Sequence, residues 1–142
     1  MSDLDALIAK VEGLTGADRE VDGLIEQSLG IMPSDAYWSK NNVYGEVVAR
    51  WVSGHYGAYK YHDPAELTAS LDAIVKLVEA KLPGSHWRVE KTCERPALSF
   101  RTHQFTGYCG DWGKPSRAEG PTPAIALCLA LLRALAQEEG KP

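Results

Sequence analysis

The sequence predicts an α+β fold, a three-layer α-β-α sandwich with a small, mostly antiparallel sheet. Three observations predict it. Apolar residues recur at helical spacing over the first 30 residues and again over 63–83. Residues 86–90 and 97–102 alternate apolar and polar side chains, which buries one face of a strand and wets the other. Residues 124–132 are apolar on every side, and a helix of that kind must be buried all round.

The elements follow in order. Leu4, Leu7, Ile8 and Val11 form one stripe; Ser2 caps it, and Asp3 and Asp5 suit the positive end of the helix dipole. Gly13 and Gly16 end the pattern. Thr15 is read as the cap of a second helix with the stripe Val21, Leu24, Ile25 and Leu29, and Gly30 stands where a positive φ is cheap. Residues 1–30 therefore read as a helical hairpin. Residues 34–62 hold seven aromatics and read as short strands near 36–39, 46–52 and 56–61, with a helical turn over 47–51 as the alternative.

Asp63-Pro64 opens a helix over 63–83, with a second cap signal at Thr68 or Ser70 and a stop at Pro83-Gly84. A β-hairpin is expected over 85–102. Residues 103–121 read as a long glycine-rich loop, and long loops are commonly functional. Thr122-Pro123 then caps a buried helix over 122–137. A sheet covers one side of that helix, and its other side needs a neighbouring helix or a partner chain.

With 142 residues, 1–142 is expected to be a single domain with one core. The net charge of −4 argues against a general nucleic-acid coat, so a nucleic-acid partner is not expected. Residues 1–35 carry eight acids against two bases, whereas 85–117 carry six bases against three acids. An acidic helical face and a basic face follow. Cys93, Cys109 and Cys128 are too few to pair fully, and the acidic start lacks the apolar stretch of a secretory leader. The longest apolar run is too short to span a bilayer. A reducing cytoplasm is the expected location.

Three segments resemble small proteins encoded by phages and prophages. They are Leu7-Ile8-Ala9-Lys10 with Gly16-Ala17-Asp18-Arg19-Glu20-Val21-Asp22, then Leu67-Thr68-Ala69-Ser70-Leu71-Asp72-Ala73, then Thr122-Pro123-Ala124-Ile125-Ala126-Leu127-Cys128-Leu129-Ala130. Their order and spacing are similar to those of the phage ABA-sandwich domain proteins. The resemblance spans about half the chain. It implies a sheet between helical layers, and with a phage origin the expected cytoplasm is that of the host. It implies no activity, because its matching positions read as caps and core.

Gly107-Tyr108-Cys109-Gly110-Asp111-Trp112-Gly113-Lys114 invites comparison with a phosphate loop, but Tyr108 stands where the first glycine belongs and Pro115 where Ser or Thr belongs. Cys93, His103 and Cys109 have no zinc-module spacing, so no metal is assigned. Cysteine catalysis would pair Cys109 with His103 or His86 and with Asp111 or Asp72. No motif favours that set, and no cofactor is assigned. His55 and His62 are given no role.

The ligand-binding set is Arg88, Arg101, Tyr108, Trp112, Lys114 and Arg117. Arginine forks grip oxyanions and aromatic faces stack on bases. The competing reading makes Arg88 and Arg101 outward strand residues and Trp112 a packing anchor. The expected function is that of a phage accessory binding protein without catalytic activity. It would inhibit host defence by binding a host protein or sequestering a small anionic or nucleotide ligand, and homo-oligomerisation is expected. The alternatives are an enzyme acting on a nucleotide or phosphate ester, and a structural virion component.

Overall fold

A computed structural model describes residues 3–54, 58–91 and 105–139. The element order is α1 (Asp3–Glu12), α2 (Arg19–Ser28), β1 (Tyr37–Val43), β2 (Glu46–Ser53), β3 (Lys60–His62), α3 (Leu71–Lys81), β4 (His86–Lys91), β5 (Phe105–Gly110), β6 (Ser116–Gly120) and α4 (Pro123–Glu139). Mixed α+β, as predicted, the strands make two three-stranded antiparallel sheets, ordered β1-β2-β3 and β4-β5-β6, where one sheet was expected. The chain divides into two compact units. Met1–Asp18 with Glu66–Pro142 form one, and Arg19–Ala65 form the other.

In the larger unit α4 is the middle layer. One side packs on β4, β5 and β6, and α1 and α3 also pack against it. Every residue from Ala124 to Leu132 is at most 3% exposed, which is what an all-round apolar helix requires. Leu4, Leu7 and Val11 of α1 and Ile74, Leu77 and Val78 of α3 complete this core. The covering that α4 needs thus comes from within its own unit, and the helix rather than the sheet lies innermost there.

The sheet reaches α4 at backbone distance. A Cβ added at Gly107 would lie 2.5 Å from the Ala126 carbonyl oxygen, and one at Gly120 would lie 2.8 Å from the Ala126 nitrogen. These glycines explain the main correction to the sequence reading. The described part of 103–121 is not a loop, since 105–110 and 116–120 are paired strands and Asp111–Pro115 is the connection. Two of the glycines that read as loop, Gly107 and Gly120, are contact positions against the helix. β4 pairs with β5 along its whole length, from His86↔Gly110 to Lys91↔Phe105. The expected strand at 97–102 lies outside the described residues.

The helix expected over 63–83 begins only at Leu71. Ser70 is its cap, its hydroxyl accepting from the Ala73 amide at 3.3 Å. Thr68 is held elsewhere: its Oγ1 accepts from the Asp18 amide at 2.8 Å. The helix stops at Lys81, short of Gly84 with φ +78. The second helix likewise starts at Arg19, with Asp18 rather than Thr15 in front of it, and ends as read, with Gly30 at φ +77. The first two helices form but fall in different units.

In the smaller unit β1 and β2 make a hairpin closed by Tyr44 and Gly45, both at positive φ (53° and 84°). That is the type I′ geometry that matches strand twist. The 47–51 stretch is strand, not helix. Trp51 packs directly on α2: a Cβ on Gly23 would lie 2.0 Å from its Nε1, which donates to the Arg19 carbonyl at 3.3 Å. Met32 and Ala36 pack with it. Arg19 closes the unit by bonding Asp22, Asp63 and the Pro64 carbonyl.

Candidate functional site

Strand alternation divides the six predicted site residues. In the second sheet Cys109 pairs with Trp87 and Ser116, and Gly107 with Val89 and Ala118. Those positions face α4. The alternate positions, His86, Arg88 and Glu90 with Thr106, Tyr108, Arg117 and Glu119, face away from it; of these Thr106, in the central strand, is fully buried, and the open part of the face is Arg88, Tyr108 and Arg117 with their neighbours. Arg88, Tyr108 and Arg117 are direct cross-strand neighbours, so three of the predicted residues form one row across the sheet.

The row is ordered by short contacts. The Arg88 guanidinium carbon sits 4.3 Å from the centre of the Tyr108 ring, within cation–π range. The Tyr108 hydroxyl donates to Glu90 at 3.0 Å, and Arg88 Nε lies 3.7 Å from the same carboxylate. Arg117 pairs with Glu119 at 3.2 Å. A row of two arginines and a tyrosine is therefore backed by a row holding two carboxylates. These side chains are 31–54% exposed, and exposed pairs of this kind contribute only about 0–1 kcal/mol.

Trp112 stands in the turn after β5. It is 76% exposed, and its ring rests on His86 with centroids 4.4 Å apart and planes tilted by 36°. His86 shares the outward face with Arg88, so the stack borders the row at the β4–β5 end. Trp112 is thus not a buried anchor of the loop. Lys114 is separate: it lines a small pocket with Asp111, Ser85 and Ser116. Arg101 lies outside the described residues.

Arg133 of α4 was missed in the sequence, as were Glu90 and Glu119. It donates to the Arg117 carbonyl at 2.7 Å and pairs with Glu12 at 2.9 Å. It thereby occupies the outer edge of β6, where an unpaired carbonyl would otherwise invite another strand. An open cleft of about 470 Å³ lies between Glu12, Arg117, Glu119 and Arg133. The signal for the two glutamates was available: each stands two residues after a candidate arginine, on the same face.

Cys109 does not suit catalysis. It is fully buried beneath α4, and burial pushes its thiol up to about 11, with the Ser85 hydroxyl opposing the shift. A nucleophilic cysteine needs the reverse. His86 is on the other face of the sheet from Cys109. Cys93 and His103 lie outside the described residues, and no cluster of three metal-ligating side chains occurs among the described ones.

The first sheet presents a different surface. Tyr37, Tyr44, Val47, Tyr59 and Tyr61 are all about half exposed or more, and Arg50 lies 4.7 Å over the Tyr61 ring. His62, given no role in the sequence, shares a 2.7 Å hydrogen bond with the buried Ser53, tying β2 to β3. His55 lies outside the described residues. No helix among the described residues is long and apolar enough to cross a membrane. No protein-family profile, curated protein or solved structure matches this chain.

Proposed function

We propose that this protein works by binding rather than by catalysis, and that its contact surface is the outward face of the second sheet. The observation that carries the reading is the row Arg88–Tyr108–Arg117, bordered by Trp112 on His86. A planar anion such as a nucleotide suits it. The base stacks on Trp112, and the phosphate takes a guanidinium from its glutamate. That exchange costs little, because the displaced ion pairs are exposed. The raised thiol of Cys109 speaks against an enzyme that uses this cysteine as its nucleophile. An accessory protein of phage type, inhibiting a host defence by sequestering a nucleotide signal, is the role in which such a surface makes sense. Support for the phage part is the resemblance of the three quoted segments.

The test is titration with mononucleotides, cyclic dinucleotides and short single strands, followed by tryptophan fluorescence. Trp112→Ala should lose roughly 1–3 kcal/mol of binding without unfolding the protein. Arg88→Ala with Arg117→Ala should weaken a charged ligand and flatten its salt dependence. Binding that ignores all three changes would rule the surface out. A second reading, docking on a host protein or a second copy of the chain, is favoured by the exposed aromatics of the β1–β2 hairpin.

A further inference from the structure

One face of the first sheet is complementary to itself. The side of β2 turned from α2 reads Glu46, Val48, Arg50 and Val52, whereas the opposite side holds Trp51, which packs on α2. Directly paired residues share a face, so Tyr37 and Ser39 of β1 and Tyr61 of β3 belong with the first set. Tyr37 and Tyr61 flank the buried Val52 and are 47% and 58% exposed. At the other end of the hairpin Tyr44 is fully exposed. The face therefore has aromatics at both ends and two opposite charges between them.

Among the described residues no ion pair engages either charge. The Arg50 guanidinium stacks over the Tyr61 ring at 4.7 Å, a contact that leaves its N–H edge for a carboxylate. Glu46 and Arg50 stand about 13 Å apart along the strand, with Val48 midway. A two-fold axis through Val48, lying between two copies and running across the strands, turns β2 end for end. It sets Glu46 of each copy opposite the partner's Arg50 and lays Val48 on Val48. It also brings each Tyr44 turn to the end of the partner's sheet where Tyr37 and Tyr61 stand.

We propose that the first sheet docks face to face on the same sheet of a second copy, in a two-fold dimer held by two Glu46–Arg50 contacts between tyrosine clusters. A two-fold interface must be self-complementary, and this face is so in charge and in shape along β2. Tyrosine and arginine are also the residues that interfaces favour. Tyr44, fully exposed in its own chain, gains a neighbour in the dimer. This inference rests on the second reading above, docking through the hairpin, and names its occupant.

Sedimentation equilibrium of the full chain, from micromolar to millimolar concentration, tests the pairing. Glu46→Arg and Arg50→Glu each turn two attractive contacts into two repulsive ones, because the symmetry counts every change twice. Each should weaken dimerisation about tenfold or more while the circular dichroism is kept. The double variant, Glu46→Arg with Arg50→Glu, restores both contacts and should return the dissociation constant to within about threefold of the wild type. Added salt should weaken the wild-type dimer and strengthen that of each single variant. If a reversal disturbs the fold, Glu46→Gln and Arg50→Gln take its place, each with an expected loss of about threefold. A dimer that ignores every charge change, or a double variant no better than the singles, would overturn the proposal and leave docking through the hairpin standing. A wild-type chain still monomeric at millimolar concentration would overturn the dimer itself.

Discussion

Cys109 shows how one residue's chemistry follows from its place. Its side chain lies on the face of β5 that meets α4, so desolvation holds the thiol protonated well past its ordinary value of 9.0, to about 11. A group that keeps its proton more tightly when folded stabilises the fold below the unfolded value and loses that contribution as pH rises through the folded one. Unfolding free energy should therefore fall between pH 9 and 11, by roughly 2 kcal/mol. Cys109→Ala should remove that dependence in urea titrations at stepped pH. Thiol reagents at pH 8 should leave native Cys109 and the equally buried Cys128 unmodified and label both only on unfolding.

At the scale of elements, the closest approach in the larger unit is backbone on backbone. Gly107→Ala would place a methyl 2.5 Å from the Ala126 carbonyl oxygen, where a helix backbone leaves no flexible atom to yield. Overpacking of this kind costs about 1–3 kcal/mol, so the urea midpoint should fall with the slope unchanged. The β1–β2 hairpin carries the opposite expectation. Tyr44 holds φ +53 in a turn where asparagine is the favoured residue, and its side chain touches nothing that would compensate, being fully exposed. Tyr44→Asn should stabilise the protein by about 0.5–1 kcal/mol, read as a higher melting temperature.

For the whole molecule, the apolar helix does not demand a partner, because α1, α3 and the second sheet already enclose it. Self-association is then expected to run through the first sheet. Sedimentation at tens of micromolar should show a concentration-dependent species, and Tyr44→Ser with Val47→Ser should abolish it without altering the circular dichroism. A wild-type monomer at that concentration would remove the aromatic hairpin as a docking surface. Strand addition is the less apt mode: Lys40 lies in edge strand β1, Lys60 in edge strand β3, and Arg133 occupies the β6 edge.

Much of this protein was determined locally. Helical stripes, the Ser70 cap, the Gly30 stop and the burial of α4 depend on neighbours within a few residues, and such patterns can be read along a chain; the alternation expected in β4 does not appear in its burial, since Trp87 on this edge strand is 37% exposed. Arg88, Tyr108 and Arg117 were legible as a basic and aromatic set for the same reason. What only the tertiary structure decided was register and contact. Whether glycines 107 and 120 meant loop or close packing depended on a helix backbone arriving from later in the chain. Which carboxylates oppose the arginines depended on strand pairing, and whether Cys109 was reactive depended on the face it took. Proximity across distant segments sets those answers, and no periodicity along one segment carries that information.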